Sequence, residues 1–410
     1  MNNNPTYQQP LCSHCATCDE SNTTTTRKRD ENETRTTASD TVRCVPQLRF
    51  PEFQNTGEWE ECCVKDICKI ETGKSNTQDQ SSKGKYPFYI RSNKPVRSDK
   101  YLYDCEAVIT IGEGNIGRVF HYVNGKFDLH QRCYKMTNFK KVSGKYFYYY
   151  FSANFYKRAM ALSAKATVDS VRLEMIAEMK ICYPTIREQQ KIVSCLQTID
   201  NHISSATEKL EQLQMHKKAL LQKLFPQRGK TIPELRFPEF QGEGNWIAKR
   251  MGEIIKVNSG RDYKHLKHGD IPVFGTGGYM LSVDDFLSEV DAVGIGRKGT
   301  IDKPQYLKAP FWTVDTLFFL TSNEGYDTKY LYYLSQTIPW KKYGEQTGVP
   351  SLSKIAIENL DIMVSPNINE QKKIANVLSA LDKSEEMLSN KILLLRQHKE
   401  SLMQKLFVRL

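Results

Sequence analysis

Two stretches of the chain place apolar residues at alternating steps of four and three. In the first, Ile192, Leu196, Ile199, Ile203, Ala206, Leu210, Leu213, Leu220 and Leu224 keep this rhythm, broken only at Lys217. In the second, Ile374, Leu378, Leu381, Leu388, Ile392, Leu395, Leu402 and Leu406 keep it, broken at Glu385 and Lys399. A 3.5-residue repeat gives a narrow seam, which predicts helix against helix rather than helix on sheet. Pro184-Thr185-x-x-Glu188 and Pro366-Asn367-x-x-Glu370 precede the two runs, and this spacing predicts a capping box at each start. Helices of about 40 residues are roughly 60 Å long. Two arrangements fit: the helices dimerise the protein, or they pair antiparallel within one chain and hold a globular unit at each end of a rod.

The helical segments are part of a larger duplication. Residues 46–74 return at 233–261 with 13 of 29 positions identical, and residues 186–225 return at 368–407 with 16 of 40 identical. Between these landmarks the offset falls from 187 to 182: Ala107-Val108 aligns with Ala292-Val293, Lys145-Tyr146 with Lys329-Tyr330, and Tyr156-Lys157-Arg158 with Trp340-Lys341-Lys342. One duplicated domain with small deletions leaves this trace. Short β-branched and aromatic runs such as Ala107 to Ile111 and Trp312 to Leu320 read as strands, and Lys329 to Ser335 reads as a short helix. The expected organisation is a polar tail at 1–45, a mixed α/β domain at 46–185, a long helix at 186–225, a linker at 226–232, a second α/β domain at 233–367 and a second long helix at 368–410.

Composition adds a partner class. The net charge of +11 is unevenly spread, with +7 in residues 46–185 and −2 in residues 233–367. A basic excess favours a polyanion, although only the first domain shows it in bulk. The N-terminus lacks the regions of a signal peptide and no apolar run approaches the length of a membrane span, which favours a cytoplasmic protein without a membrane partner. All 11 cysteines lie between Cys12 and Cys195, so they cannot frame a repeated fold and are expected to be free thiols.

Two motifs mislead. Gly112-x-Gly114-x-x-Gly117 and Gly294-x-Gly296-x-x-Gly299 spell a dinucleotide fingerprint, but β-branched residues follow the first and a proline follows the second where a helix is required. The glycines are also taken not to superimpose at the offset of 185. They read as glycine turns between strands. Cys12, His14, Cys15 and Cys18 have zinc-like spacing, yet they sit in an Asn- and Thr-rich segment without a second pair and read as part of a disordered tail. No Walker, HExxH, GxSxG or Asn-Pro-Pro-aromatic motif is present, so weight moves from enzyme to binding module. Asp284 and Asp285 read as solvated surface.

LRFPEF followed by Trp and Lys-x-x-x-Gly, the strand and turn AVGIGRKGT, the KYLYYL element, and P-x-I-x-E-Q-x-K-I leading into a long helix ending in QKLF resemble the specificity subunit of a type I restriction-modification system. The resemblance covers residues 46–408. It implies two target recognition domains separated by an antiparallel coiled coil with pseudo-two-fold symmetry, and no catalysis or cofactor in this chain. It also implies double-stranded DNA as ligand, two methyltransferase subunits using S-adenosylmethionine, and restriction subunits using ATP and Mg. The tail departs from the pattern and receives no role.

On this reading the expected DNA contacts in the first domain are Lys83, Lys85, Arg91, Lys94, Arg97, Lys100 and Arg118, with Tyr86, Tyr89 and Tyr101 interleaved. In the second they are Arg261, Lys264, Lys267, Arg297 and Lys298, and the repeated basic pairs Lys157-Arg158 and Lys341-Lys342 join both sets. Two other readings compete: a duplicated RNA-binding or structural scaffold without DNA specificity, and an enzyme whose site carries no familiar motif.

Overall fold

In the computed structural model, which describes residues 44–163, 170–344 and 349–408, the first domain is built from eight strands and one substantial helix. The strands are β1 (Glu60–Cys63), β2 (Lys69–Thr72), β3 (Tyr86–Tyr89), β4 (Val96–Ser98), β5 (Tyr103–Ile111), β6 (Phe120–Leu129), β7 (Cys133–Thr137) and β8 (Lys180–Tyr183). Helix α1 (Gly144–Ser163) lies between β7 and β8. One sheet has the order β2-β7-β5-β6-β3-β4, and β1 pairs separately with β8. Alternation along β5 feeds two cores: Val108 packs on the α1 side with Met136, Tyr146 and Phe147, while Ala107, Ile109 and Ile111 pack on the opposite side with Phe127 and Leu129. The tail and its cysteine cluster lie outside the described residues.

From β8 the chain enters the 39-residue helix α2 (Ile186–Leu224). The second domain repeats the first as β9 (Ile247–Arg250), β10 (Ile255–Ser259), β11 (His268–Gly275), β12 (Gly278–Val283), β13 (Ala292–Gly296), β14 (Gln305–Leu307), β15 (Trp312–Thr313), β16 (Leu317–Ser322), helix α3 (Thr328–Thr337) and β17 (Asp361–Val364). Helix α4 (Ile368–Leu406), also of 39 residues, follows. The pairing is the same in both domains: Tyr86 opposite Ser98 and Phe88 opposite Val96 recur as Ile271 opposite Val283 and Val273 opposite Leu281. Where β6 is continuous, the second domain has β14 and β15, so its sheet divides into β10-β16-β13-β14 and β12-β11-β15. Pro304 and Pro310 remove ladder donors in that stretch, which accounts for the division. Likewise α3 stops before Pro339 and is half as long as α1.

Neither glycine motif opens a helix: the first is a turn leading to strand β6 at Phe120, whereas in the second Gly294 and Gly296 lie within β13 and only Gly299 lies in the turn that was expected of all three. One detail corrects the alignment argument: Gly114 and Gly299 do coincide. Both have positive φ, +88° and +84°, and each is followed two residues later by a buried isoleucine, Ile116 or Ile301.

Each long helix is fixed to its own domain by its first turn. Glu188 accepts two hydrogen bonds from Arg49, at 2.7 and 2.8 Å, and Glu370 accepts two from Arg236, at 2.7 and 3.0 Å. Both glutamates are 1% exposed. The expected capping boxes are therefore not what forms. Thr185 makes no side-chain cap, and Asn367 caps Asn369 and Glu370 while the Glu370 carboxylate is engaged by Arg236 and Ser365. A bidentate guanidinium outcompetes a lone backbone amide for a buried carboxylate. The neighbouring Gln189 and Gln371, both fully buried, tie the same turns to the loops before α1 and α3 through Ser143 N and Asp327 N.

The helices pair antiparallel, and their breaks in the apolar rhythm fix the register. Lys217 of α2 reaches Asp382 of α4, and Lys399 of α4 reaches Asp200 of α2 at 2.6 Å. On each helix the aspartate and lysine are 17 residues apart, running in opposite directions. Burial opposes the Lys217 charge, but the hydrogen bond and charge of Asp382 outweigh it and raise its pKa above the ordinary lysine value. Each aspartate also accepts from a tyrosine of its own domain: Tyr149 to Asp200 at 2.7 Å, and Tyr333 to Asp382. Glu385, the remaining break, lies 3.6 Å from Lys217.

The seam residues Ile192, Leu196, Ile199, Leu224, Ile374, Leu378, Ile392 and Leu406 are buried, and Ile203, Leu210, Leu213, Leu220, Leu381, Leu388, Leu395 and Leu402 are half-buried. The ends of the seam belong to the domain cores. Ile192, Leu196 and Leu406 sit in the first core with Leu402 packed against it, and Leu220, Leu224, Ile374, Leu378 and Leu381 sit in or against the second. Phe225 packs on Trp246 and Tyr330, and Phe407 on Tyr146 and Tyr150. Each helix thus begins in one domain and ends in the other. The end of α4 meets the first domain through Leu48 N to Lys405 O, as the end of α2 meets the second through Leu235 N to Lys223 O, both 2.9 Å.

One expectation about cysteine is overturned. Cys44 and Cys182 form a disulfide, with Cα atoms 5.9 Å apart. The backbone explains the proximity: Cys44 O accepts from Trp59 N and β1 pairs with β8, which brings residue 44 beside residue 182. The second domain repeats the backbone contact through Thr231 O and Trp246 N without thiols. Among the described cysteines Cys62, Cys63, Cys68, Cys105, Cys133 and Cys195 are free, and burial pushes the Cys68 thiol up to about 12.

Arg236→Ala leaves the buried Glu370 charge with the Ser365 hydroxyl but no cation, and denaturant unfolding is expected to show a loss of about 3 to 5 kcal/mol in the second domain. A loss under 1 kcal/mol would mean the pair does not anchor the helix. A double-mutant cycle on Lys217→Ala and Asp382→Ala is expected to give a coupling of about 1 kcal/mol or more, whereas strictly additive losses would remove Lys217 as a register lock.

Candidate nucleic-acid interface

The sixteen expected contact residues are exposed, except the half-buried Arg158. Six of the first-domain cations belong to one hairpin. Lys83, Lys85, Arg97 and Lys100 lie at its open end, and Arg91 and Lys94 in the turn between β3 and β4. Arg118 is in the β5–β6 loop, where its guanidinium lies 4.4 Å from the Tyr156 ring centre and donates to the Tyr156 hydroxyl. Tyr86 and Tyr101 pack together at 4.9 Å with Lys126 over Tyr101, but Tyr89 is buried in the core and is not part of the surface.

Several cations are already engaged. Lys100 pairs with Asp79 at 2.8 Å, an interaction that holds the aspartate below and the lysine above its ordinary value. Arg91 pairs with Glu113, Arg97 donates to Lys85 O, Arg158 donates to Met175 O at 2.8 Å, and Lys341 pairs with Asp302, whose pKa it lowers. Lys83, Lys85, Lys94, Lys264, Lys267 and Lys298 make no ion pair with another described residue. Among the described residues none of these has an ion-pair partner to lose before it meets phosphate.

The second domain presents different chemistry on the same frame. Carried along the sequence at the offset of 185 that the three shared ladder pairs set, Lys83, Lys85, Arg91, Lys94, Arg97 and Lys100 become His268, Asp270, Thr276, Tyr279, Ser282 and Asp285. The charge contrast between the domains is concentrated here. Arg261, Lys264 and Lys267 lie in the segment between β10 and β11, and Arg297 and Lys298 in the β13–β14 loop. The basic pairs do not share a secondary structure: Lys157 and Arg158 are on α1, whereas Lys341 and Lys342 are in a short turn after Pro339.

Sequence reasoning missed Glu113 and Arg132, beside the hairpin turn. Arg132, in the β6–β7 turn, lies 2.5 Å from Glu113, whose other partner is Arg91 at 3.3 Å. Burial and the nearby charges of Arg91 and Arg132 lower the pKa of His130. The only signal was Glu113 itself, hidden within the misleading glycine motif.

The family described as the type I restriction modification DNA specificity domain matches residues 56–215 and 243–395, one copy for each domain and much of its long helix. The chain belongs to this family. Its function is sequence-specific DNA recognition, in a subunit type without catalysis of its own. The MjaVIII specificity subunit of Methanocaldococcus jannaschii is 22% identical over 387 residues, covering 82% of this chain and 87% of the relative. The EcoDI specificity subunit of Escherichia coli is 23% identical over 156 residues, covering 38% of this chain and 34% of the relative. The solved S subunit of the M. genitalium type I restriction-modification system shares the fold, with a TM-score of 0.67 at 19% identity over 89% of this chain and 99% of that one. Among the described residues of this specificity subunit no helix is long and apolar enough to cross a membrane.

Replacing Lys83, Lys85 and Lys94 together by Gln is expected to weaken DNA binding of the assembled complex equally on target and non-target duplexes. The slope of log K against log salt should flatten by about 0.9 for each phosphate contact removed. An unchanged slope would take these lysines off the interface.

Proposed function

We propose that this subunit reads a two-part DNA target, one half per recognition domain, with an unread spacer set by the paired helices. The observation that carries this reading is the crossed pairing of Lys217 with Asp382 and Lys399 with Asp200, which relates the two domains by an approximate two-fold. A rod of about 60 Å spans fewer than two turns of B-DNA at roughly 34 Å per turn. Side chains at base edges would supply the sequence, and lysines on phosphates the register. The exposed cations of both domains are the candidate contacts, the unpaired ones first.

The same two-fold suits two copies of one partner. The partners are two methyltransferase subunits that use S-adenosylmethionine and restriction subunits that use ATP and Mg, working in the cytoplasm. The competing reading, an RNA-binding or structural scaffold, has no observation in its favour, and the match of both domains to a DNA specificity family weighs against it.

Methylome sequencing of a host expressing this chain with its methyltransferase is expected to reveal N6-methyladenine in a gapped, two-part motif. Exchanging residues 233–367 for another such domain should change one half of that motif and leave the other. A continuous motif, or a change in both halves, contradicts the proposal.

A further inference from the structure

The loop after β5 and the loop after β13 are held at the same place by the same backbone bonds. Glu113 forms a β-bridge with Ser170, and Val171 N donates to Gly112 O at 2.8 Å. In the second domain Lys298 bridges Ser351, and Leu352 N donates to Arg297 O at 2.9 Å. Gly114 and Ile116 correspond to Gly299 and Ile301, each pair closed by an N to O bond of 2.8 or 3.0 Å. Glu113 and Lys298 are therefore the same position of one frame, carrying opposite charge.

Their neighbours differ as well. Arg91 and Arg132 flank Glu113, and the corresponding positions of the second domain hold Thr276 and Thr316. Exposed ion pairs of this kind contribute little to stability, so folding gives no reason for the triad. A carboxylate on a surface that meets DNA is repelled by phosphate, and two arginines within 3.3 Å offset that repulsion. At a base edge an ionised carboxylate can only accept, and the donors it finds there are exocyclic amines. A lysine there does the reverse, donating to the O6 and N7 acceptors of guanine.

We infer that Glu113 and Lys298 are specificity-determining residues at one shared base-reading position. Glu113 selects a base that presents an amine in the major groove, cytosine or adenine, in the first half-site, and Lys298 selects guanine in the second. Arg91 and Arg132 position the Glu113 carboxylate and screen it from the backbone. The inference rests on the half-site reading proposed above.

The test is selection from randomised duplexes by the complex assembled with its methyltransferase. Glu113→Gln is expected to lower discrimination roughly 10- to 100-fold at one base pair of one half-site. Glu113→Lys should move that base pair towards guanine, and Lys298→Glu should alter one base pair of the other half-site only. Non-specific binding at low salt should survive Glu113→Gln, as a purely structural role would not allow. Unchanged preferences in Glu113→Lys and Lys298→Glu, or both halves altered by either one, overturn the inference. If the unmodified complex selects no two-part motif, the half-site reading itself fails, an outcome distinct from a motif that these variants leave intact.

Discussion

The crossed lysine–aspartate pairs are the constraint on which the rest of the structure depends. An antiparallel pair of helices with an apolar seam can slide by a heptad at modest cost, since leucine replaces leucine at each step. Lys217 and Lys399 remove that freedom because each has its aspartate at one register only. Half-buried polar pairs of this type add specificity more than stability, at the expense of two seam positions. Because Tyr149 and Tyr333 bond to the same two aspartates, helix register and domain placement are set by one network rather than two.

Much of this architecture was legible in the sequence, and the reason is duplication. A seam period needs only apolar residues at fixed spacing, so helix length and the helix-on-helix seam follow from the pattern, while the choice between a dimer and an antiparallel pair within one chain does not. The buried partners of Glu188 and Glu370 did not, because Arg49 and Arg236 lie 139 and 134 residues away and a local cap offered a nearer explanation. The lysines at 217 and 399 looked like interruptions for the same reason: their partners are on another helix. The Cys44–Cys182 disulfide was hidden by an argument from repetition, since a bond present in one copy alone leaves no trace in the other.

The contact surface was less legible than the scaffold. Exposure of Lys83 or Lys264 follows from composition, but ion pairing does not. Lys100 and Lys341 differ from them only through Asp79 and Asp302, residues that no periodicity links to them. Tyr89 was assigned to the surface because it alternates with lysines and arginines, whereas the β3 pleat turns it into the core. Glu113 was passed over because only cations and tyrosines were counted as candidate contacts and it lay inside the misleading glycine motif.

Summed charge is the wrong quantity for a reader of bases. Phosphate contacts scale with the number of cations, and by that measure the first domain at +7 should dominate and the second at −2 should hardly bind. Base contacts depend instead on whether donors or acceptors stand at a position the frame holds constant. The two domains share that frame through the same hairpin register and the same loop bonds, yet differ at nearly every side chain on it. Affinity can therefore come unequally from the two ends while the rod keeps both in place. A weakly acidic domain tethered about 60 Å from a strongly basic one meets DNA at high effective concentration, which leaves its surface free to carry acidic and neutral residues chosen for discrimination.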